Sequence, residues 1–404
     1  MAPPFSADHI GSFLRPQKLL DAQAKHSSGS VFIKGAKGVF DSSMLKVAER
    51  EAIAWVVKQQ ISRNIRPITS GEFERQLFSD GFIENLKGFQ VVELSMEHGG
   101  PFRTNYPANT YLLTAGMKKR AAAIATDKIM NVTSPLVRDW KYLTSVLPNI
   151  SLQRECKVTM PSPTWQHFQL KQAWVDGVYD NDETFFEDVA VAYRKELKTL
   201  WENGVRNVQI DDPHFTFFCD EQMLEGLKVD GVDADELLDL YIDVHNRCLE
   251  GRPSGMHLGV HLCRGNFTGS VYFCEGGYER VAEKIFRRLD YDTDKNVVLG
   301  VVSTKTVKME DLDALKGRVL EACDVMAKAQ GRLRSQVLAN VGVSPQCGFS
   351  SASSGGGIAV TMDIMWKKME LVKDLAHELR LIKDKCNGGK SRSLSMEKRI
   401  VSML

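Results

Sequence analysis

Residues 256–266 read Met-His-Leu-Gly-Val-His-Leu-Cys-Arg-Gly-Asn, and their spacing decides how the rest of the chain is read. Met256, Leu258, Val260 and Leu262 alternate with His257, Gly259, His261 and Cys263. Side chains on a strand point to opposite faces with period two, so one face of this segment is wholly apolar. The other face ends in an imidazole and a thiol two residues apart. They project side by side where the strand breaks at Arg264, Gly265 and Asn266. That pair suits two ligands of one borderline or soft metal, zinc foremost. The competing reading is a packed core histidine beside an inert buried cysteine.

Segments on either side alternate between helical and strand periodicity. Helices are expected over residues 42–62, 183–203, 233–250, 277–288, 310–330 and 359–384. Strands are expected over 65–70, 157–160, 205–211, 297–302 and 337–343. Gly204 follows the second of these helices, in the position that favours a left-handed residue. Strands alternating with helices of this length imply a parallel sheet. Glu72, Asp211, Cys263 and Cys347 all fall just after strands, at the end where a (β/α)8 TIM barrel builds its site. An open dinucleotide-binding sheet has little support, because no G-x-G-x-x-G follows any strand. Residues 89–114 break the rhythm with short β-like runs around Gly99, Gly100, Pro101 and Pro107, and are expected to form a β-hairpin insertion. The expected organisation is one barrel domain over 1–385 and a basic, flexible tail over 386–404.

Composition narrows the class. In 404 residues, 43% are hydrophobic and 25% charged, the profile of an ordinary globular protein. The net charge of +1 gives no global field for nucleic acid or membrane. Eight cysteines spread over this length do not form a disulfide framework. The start carries neither a basic n-region nor an apolar core. A cytoplasmic protein acting on small molecules, with neither nucleic acid nor membrane as partner, is the expectation; the oligomeric state is open.

In a barrel the loops after all the strands converge on one mouth, so His261, Cys263 and Cys347 can meet there. Catalytic zinc keeps about three protein ligands and an exchangeable position. A thiol bound to such a metal loses its proton near neutral pH, as alkyl transfer to sulfur requires. Cys156, Cys219, Cys248, Cys274, Cys323 and Cys386 fit a structural role better. Carboxylates at the mouth, Glu72 and Asp211, can grip an ammonium group, and Gly11-Ser12 can receive a carboxylate. Structural pairing with Arg75 is the competing reading for the two acids.

Six motifs occur in order: G-S-F-L-R-P from Gly11, G-E-F-E-R from Gly71, V-Q-I-D-D-P from Val208, H-L-C-R-G-N from His261, L-G-V-V-S-T-K-T from Leu299 and S-P-Q-C-G-F from Ser344. Together they resemble the catalytic C-terminal barrel of cobalamin-independent methionine synthase, and most closely its short single-barrel relatives. The resemblance runs from His9 to about residue 385. It implies zinc-dependent transfer of a methyl group to a homocysteine-type thiol, with a methyltetrahydrofolate as one donor. By the same resemblance His261, Cys263 and Cys347 are the metal ligands, and Ser12, Glu72 and Asp211 hold the amino acid part of the acceptor. Asp211 is also the expected catalytic residue, through its hold on that acceptor.

Three departures stand out. The duplicated N-terminal half of the full-length synthase is missing. Where that family carries Asp-x-His-Ser after a late strand, this chain has Ser303-Thr304-Lys305-Thr306. A strand bearing a ligand-like glutamate also has no counterpart; only residues 290–296 join the neighbouring elements, so the barrel is expected to lack one strand-helix segment there. Glu275 or Glu279 could stand in for that glutamate, although a three-ligand site completed by water or substrate is preferred. The same barrel superfamily also includes decarboxylases and enzymes that open an epoxide with a thiol, and a non-catalytic zinc-binding relative is a further alternative.

Overall fold

The computed structural model describes residues 3–26, 43–265, 273–288, 296–350 and 360–401. Seven strands are named among them: β1 (Lys87–Ser95), β2 (Lys119–Met130), β3 (Val158–Pro161), β4 (Asn207–Asp211), β5 (His257–His261), β6 (Val297–Val302) and β7 (Val341–Pro345). The chain is α/β, as its periodicities imply. β3, β4 and β5 form one parallel sheet in that order, and β6 pairs with β7 in another.

Two short parallel bridges extend these sheets. Ala7 bridges to Val343 on β7, and Ile68 bridges to Cys156 just before β3. The Ala7 and Ile68 segments are joined in turn. His9 Nε2 lies 2.6 Å from the Pro67 carbonyl, Thr69 Oγ1 donates to Gly11 O, and Phe13 N donates to Gly71 O. The wall therefore runs β6, β7, Ala7, Ile68, β3, β4, β5. Among the described residues no ladder joins β5 to β6, so the hydrogen bonds do not display a closed barrel of the expected (β/α)8 type. The missing segment was expected at residues 290–296, and 290–295 lie outside the described residues.

Helices pack on the outside of this wall for identifiable reasons. Asp182–Glu202 starts where the Asn181 side chain accepts from Thr184 N at 3.0 Å, with Asp182 and Glu183 in its first turn. It buries Phe185, Phe186, Val189, Tyr193, Leu197 and Leu200, a stripe at helical spacing. Tyr193 is fully buried and spends its hydroxyl on the Pro161 carbonyl at 3.0 Å, which ties the helix to the end of β3. Ala234–Leu249 packs beside it, capped by Asp233. Among the described residues no helix is long and apolar enough to cross a membrane.

The insertion is a hairpin, but not within 89–114. β1 pairs antiparallel with β2, whose first residue is Lys119, and Pro107–Thr114 is a helix between them. Pro107 explains the misreading: it breaks a strand but is well placed in the first turn of a helix. β7 also starts later than expected, because Arg334–Leu338 forms a short helix ahead of it. The final helix spans Met362–Val401, well beyond residue 384.

Candidate metal and acceptor site

The parallel register sets the site. Pro161 on β3 lies opposite Asp211 on β4, and Asp211 lies opposite His261 on β5. The acid and the imidazole thus end neighbouring strands at the same level. Cys263 follows two residues later, and Cys347 arrives from the loop after β7. One ligand atom each from His261, Cys263 and Cys347 lie within 4.8 Å of one another. The two thiols face each other as hydrogen-bond partners. That contact, with burial adding to it, pushes Cys263 well above the ordinary thiol range, while the same contact and the Lys305 charge hold Cys347 below it. Burial pulls the His261 imidazole down, but the Cys263 sulfur and the Asp211 carboxylate outweigh it and raise its pKa.

The two acids are buried. Gln209 Nε2 donates to Asp211 Oδ1 at 2.7 Å, as expected from their shared strand face, while Asp211 Oδ2 is buried without a hydrogen-bond partner among the described residues. Burial raises the Asp211 pKa, and His261 and Gln209 temper the rise. Glu72 Oε1 accepts from Thr159 Oγ1 at 2.7 Å and stands 3.8 Å from Arg75 Nη1. Burial, with repulsion from Asp211, pushes Glu72 up to about 7 despite that arginine. Arg75 is committed mainly elsewhere, to Thr159 Oγ1 at 2.9 Å, the Thr159 carbonyl and the Phe78 carbonyl at 3.1 Å. Structural pairing therefore accounts for only part of Glu72.

Ser12 comes from the first segment and meets the last loop. A Cβ on Gly348 would sit 1.9 Å from Ser12 Oγ, so only glycine lets the two loops approach this closely. Phe349 N donates to Ser12 O at 3.1 Å, and Arg15 Nη1 donates to Ser350 Oγ at 2.9 Å. Gly11 has φ +130, and a Cβ there would lie 2.8 Å from Thr159 Cγ2 and 3.2 Å from Glu72 Oε1. It is the spacer that lets Glu72 and Thr159 come together, and lies just behind the cavity surface.

A single cavity of about 1400 Å³, counting its open mouth, is lined by Ser12, Glu72, Asp211, His261, Cys263 and Cys347. Its far wall comes from the hairpin, through Val91 and Ala121–Ala123, and from Phe78, Trp165 and Tyr106. Sequence reading missed this wall. The Ala121-Ala122-Ala123 run was the available signal, since small residues facing inward on a strand leave room for a ligand. Arg120 also lines the cavity, held by Asn109 Oδ1 at 2.6 Å and Gln169 Oε1 at 2.7 Å. The proposed stand-in Glu275 is not in the ligand cluster, and its backbone N–H is spent on Asp220 Oδ2 at 2.9 Å, while the side chain of Glu279 lies outside the described residues.

No family model matches the chain. It is 29% identical over 400 residues to the Bacillus subtilis protein YxjG, a protein without an assigned function, covering 93% of this chain and 95% of that one. It is 24% identical over 315 residues to a methionine synthase of Pyrococcus furiosus, covering 76% and 78%. A Listeria monocytogenes structure assigned by name to vitamin-B12-independent methionine synthase superposes with a TM-score of 0.66 at 25% identity, covering 94% of this chain and 99% of that one. The chain is thus similar over most of its length to the cobalamin-independent methionine synthase family, as its motifs imply. At family level, methyl transfer to a thiol is the activity this likeness suggests.

Proposed function

We propose that the chain is a zinc-dependent transferase that moves a methyl or similarly small alkyl group onto a homocysteine-type thiol. The observation that carries this reading is the convergence of His261, Cys263 and Cys347 with the buried acids Glu72 and Asp211 around one cavity. The donor set fits the metal: one imidazole and two sulfurs, with their ligand atoms within 4.8 Å of one another, suit a borderline divalent ion. When bound, zinc would act as a Lewis acid that lowers the pKa of an acceptor thiol.

The chain's own residues supply the rest. Asp211 Oδ2, without a donor among the described residues, receives the acceptor's ammonium group. Glu72 adds a second carboxylate beside it, and Ser12 offers a hydroxyl to the acceptor's carboxylate. The apolar and aromatic far wall excludes water and aligns the donor in line with the sulfur. In the transfer a sulfur–carbon bond forms, the carbon–heteroatom bond of the donor breaks, and the departing heteroatom takes the electron pair and then a proton. A methyltetrahydrofolate or a smaller methyl carrier would serve as donor.

The architecture belongs to the same proposal: one barrel-type domain over 1–385, a tail over 386–404, and a cytoplasmic setting. One alternative, supported by the segment without a counterpart at 290–296, is a zinc-binding relative without turnover. Zinc content of purified protein, with Cys263→Ser and Cys347→Ser beside it, tests the metal. Conversion of homocysteine to methionine with a panel of methyl donors tests the reaction. Zinc lost in both variants together with product formed supports the proposal. Zinc retained without turnover by any donor favours the non-catalytic relative, and a folded wild type that takes up no zinc refutes both.

A further inference from the structure

Lys305 is a buried cation that the thiol-transfer scheme above does not use. Only 8% of it is exposed, and it sits in the loop after β6. Its Nζ donates to the carbonyl of Gly265 at 2.6 Å, two residues beyond Cys263. The loop that carries it is braced: Ser303 N donates to Glu310 Oε1 at 2.7 Å, and Glu310 Oε2 is held by the fully buried Lys368 at 2.9 Å. Lys305 N donates to Ser303 Oγ at 3.2 Å. Burial pulls the Lys305 ammonium below the ordinary lysine value, and the groups that push it back up are sulfurs: Cys347 first, then Cys263 and Cys274. Gly265 lines the cavity together with Cys263 and Cys347, so the ammonium bonded to its carbonyl stands at that wall, and a desolvated charge there acts on the charge of whatever binds beside it, because the local dielectric is low.

We propose that Lys305 makes this site prefer an anionic thiolate over a neutral thioether, so that acceptor is retained and methylated product is released. This rests on the thiol-transfer reading and assigns to Lys305 the discrimination between its substrate and its product. The ammonium adds attraction only when the ligand's sulfur carries charge. A sulfur that has gained a methyl group is neutral and loses that attraction while keeping every contact made by its amino acid part. Lys305 is a positioning residue here: it acts on the sulfur through the field and through the Gly265 backbone.

The test is a pair of calorimetric titrations, L-homocysteine and L-methionine, on the zinc-loaded full-length chain, with zinc content measured on each sample. Lys305→Gln keeps a donor for Gly265 O but removes the charge. It is expected to retain zinc, to bind L-homocysteine at least about tenfold more weakly, and to bind L-methionine as the wild type does. Lys305→Arg is expected to keep most of the preference. Lys305→Met, which keeps the aliphatic stem packed, gives the same comparison if the amide variant does not fold. An unchanged ratio of the two affinities in either neutral variant, or an equal loss for both ligands, overturns the proposal and leaves Lys305 as a brace for the loop. A wild type that holds zinc but binds neither ligand overturns the thiol-transfer reading as well.

Discussion

Replacing Glu72 by glutamine should stabilise the metal-free protein at alkaline pH while impairing acceptor binding, and the size of the gain follows from the burial of the carboxylate. Glu72 is 3% exposed, and its pKa stands at about 7 against an ordinary 4.5. Each factor of ten in that ratio is worth about 1.4 kcal/mol, so ionising Glu72 in the folded state costs about 3 kcal/mol. The sign follows from linkage. Below pH about 4.5 the carboxyl is protonated in both states and nothing is lost. Between about 4.5 and 7 the unfolded chain releases the proton while the folded one holds it, so stability falls as pH rises. Above about 7 the loss is complete. Glutamine keeps an oxygen for Thr159 Oγ1 and removes both the buried charge and its repulsion with Asp211. Urea unfolding of the metal-free wild type and Glu72→Gln at pH 5 and pH 8.5 measures the effect. The variant should gain about 2–3 kcal/mol on the wild type between the two pH values. A variant that follows the same pH slope as the wild type would refute the reasoning. Such a gain at the expense of acceptor binding is what a strained binding site implies.

Three further outcomes are expected. Asp211→Asn should raise the acceptor concentration needed for half-maximal rate by about 10- to 100-fold, because the charge-assisted bond lost is worth about 1.5–3 kcal/mol; zinc content read on the same samples should not change. Gly348→Ala puts a methyl group 1.9 Å from Ser12 Oγ, and should cost about 1–3 kcal/mol, read as a lowered melting temperature with the first and last loops more open to protease. Stripping zinc with a chelator should lower the melting temperature of the wild type, and added zinc should restore it, because a ligand that binds only the folded state stabilises it by mass action; Cys347→Ser should show no such response.

Much of the site was legible because it depends on short spacings. His261 and Cys263 share a face by the period of a strand, and Gln209 and Asp211 do so likewise, their side chains now hydrogen-bonded at 2.7 Å. The convergence of Cys347 on that pair followed from a rule about where barrel loops meet. What could not be read was whatever depends on register between distant segments. That Asp211 lies level with His261, and that Glu72 reaches Thr159 Oγ1, comes from the pairing of separate strands and loops. Lys305 was visible only as the place where a histidine was missing, because its partner is a backbone carbonyl forty residues away. The hairpin was assigned too early because Pro107 and the glycines before it punctuate equally a loop and the start of a helix.

The interior hydrogen bonds below the site have a direction, and it matters. Lys157 Nζ donates to Asp8 Oδ1 at 2.7 Å, to the His9 carbonyl and to Gln209 Oε1 at 2.7 Å. An ammonium can only donate, so the Gln209 oxygen must face it, and the amide nitrogen is left to face Ile10 O and Asp211 Oδ1, both at 2.7 Å. The lysine thereby acts as a keyed stop that prevents the amide from turning over. Replace it with an acceptor, and Gln209 can present oxygen to oxygen, repelling Asp211 from the rotamer that leaves Oδ2 without a hydrogen-bond partner among the described residues. The orientation of the acid that meets the substrate is thus set one strand away, by a residue that never touches a ligand.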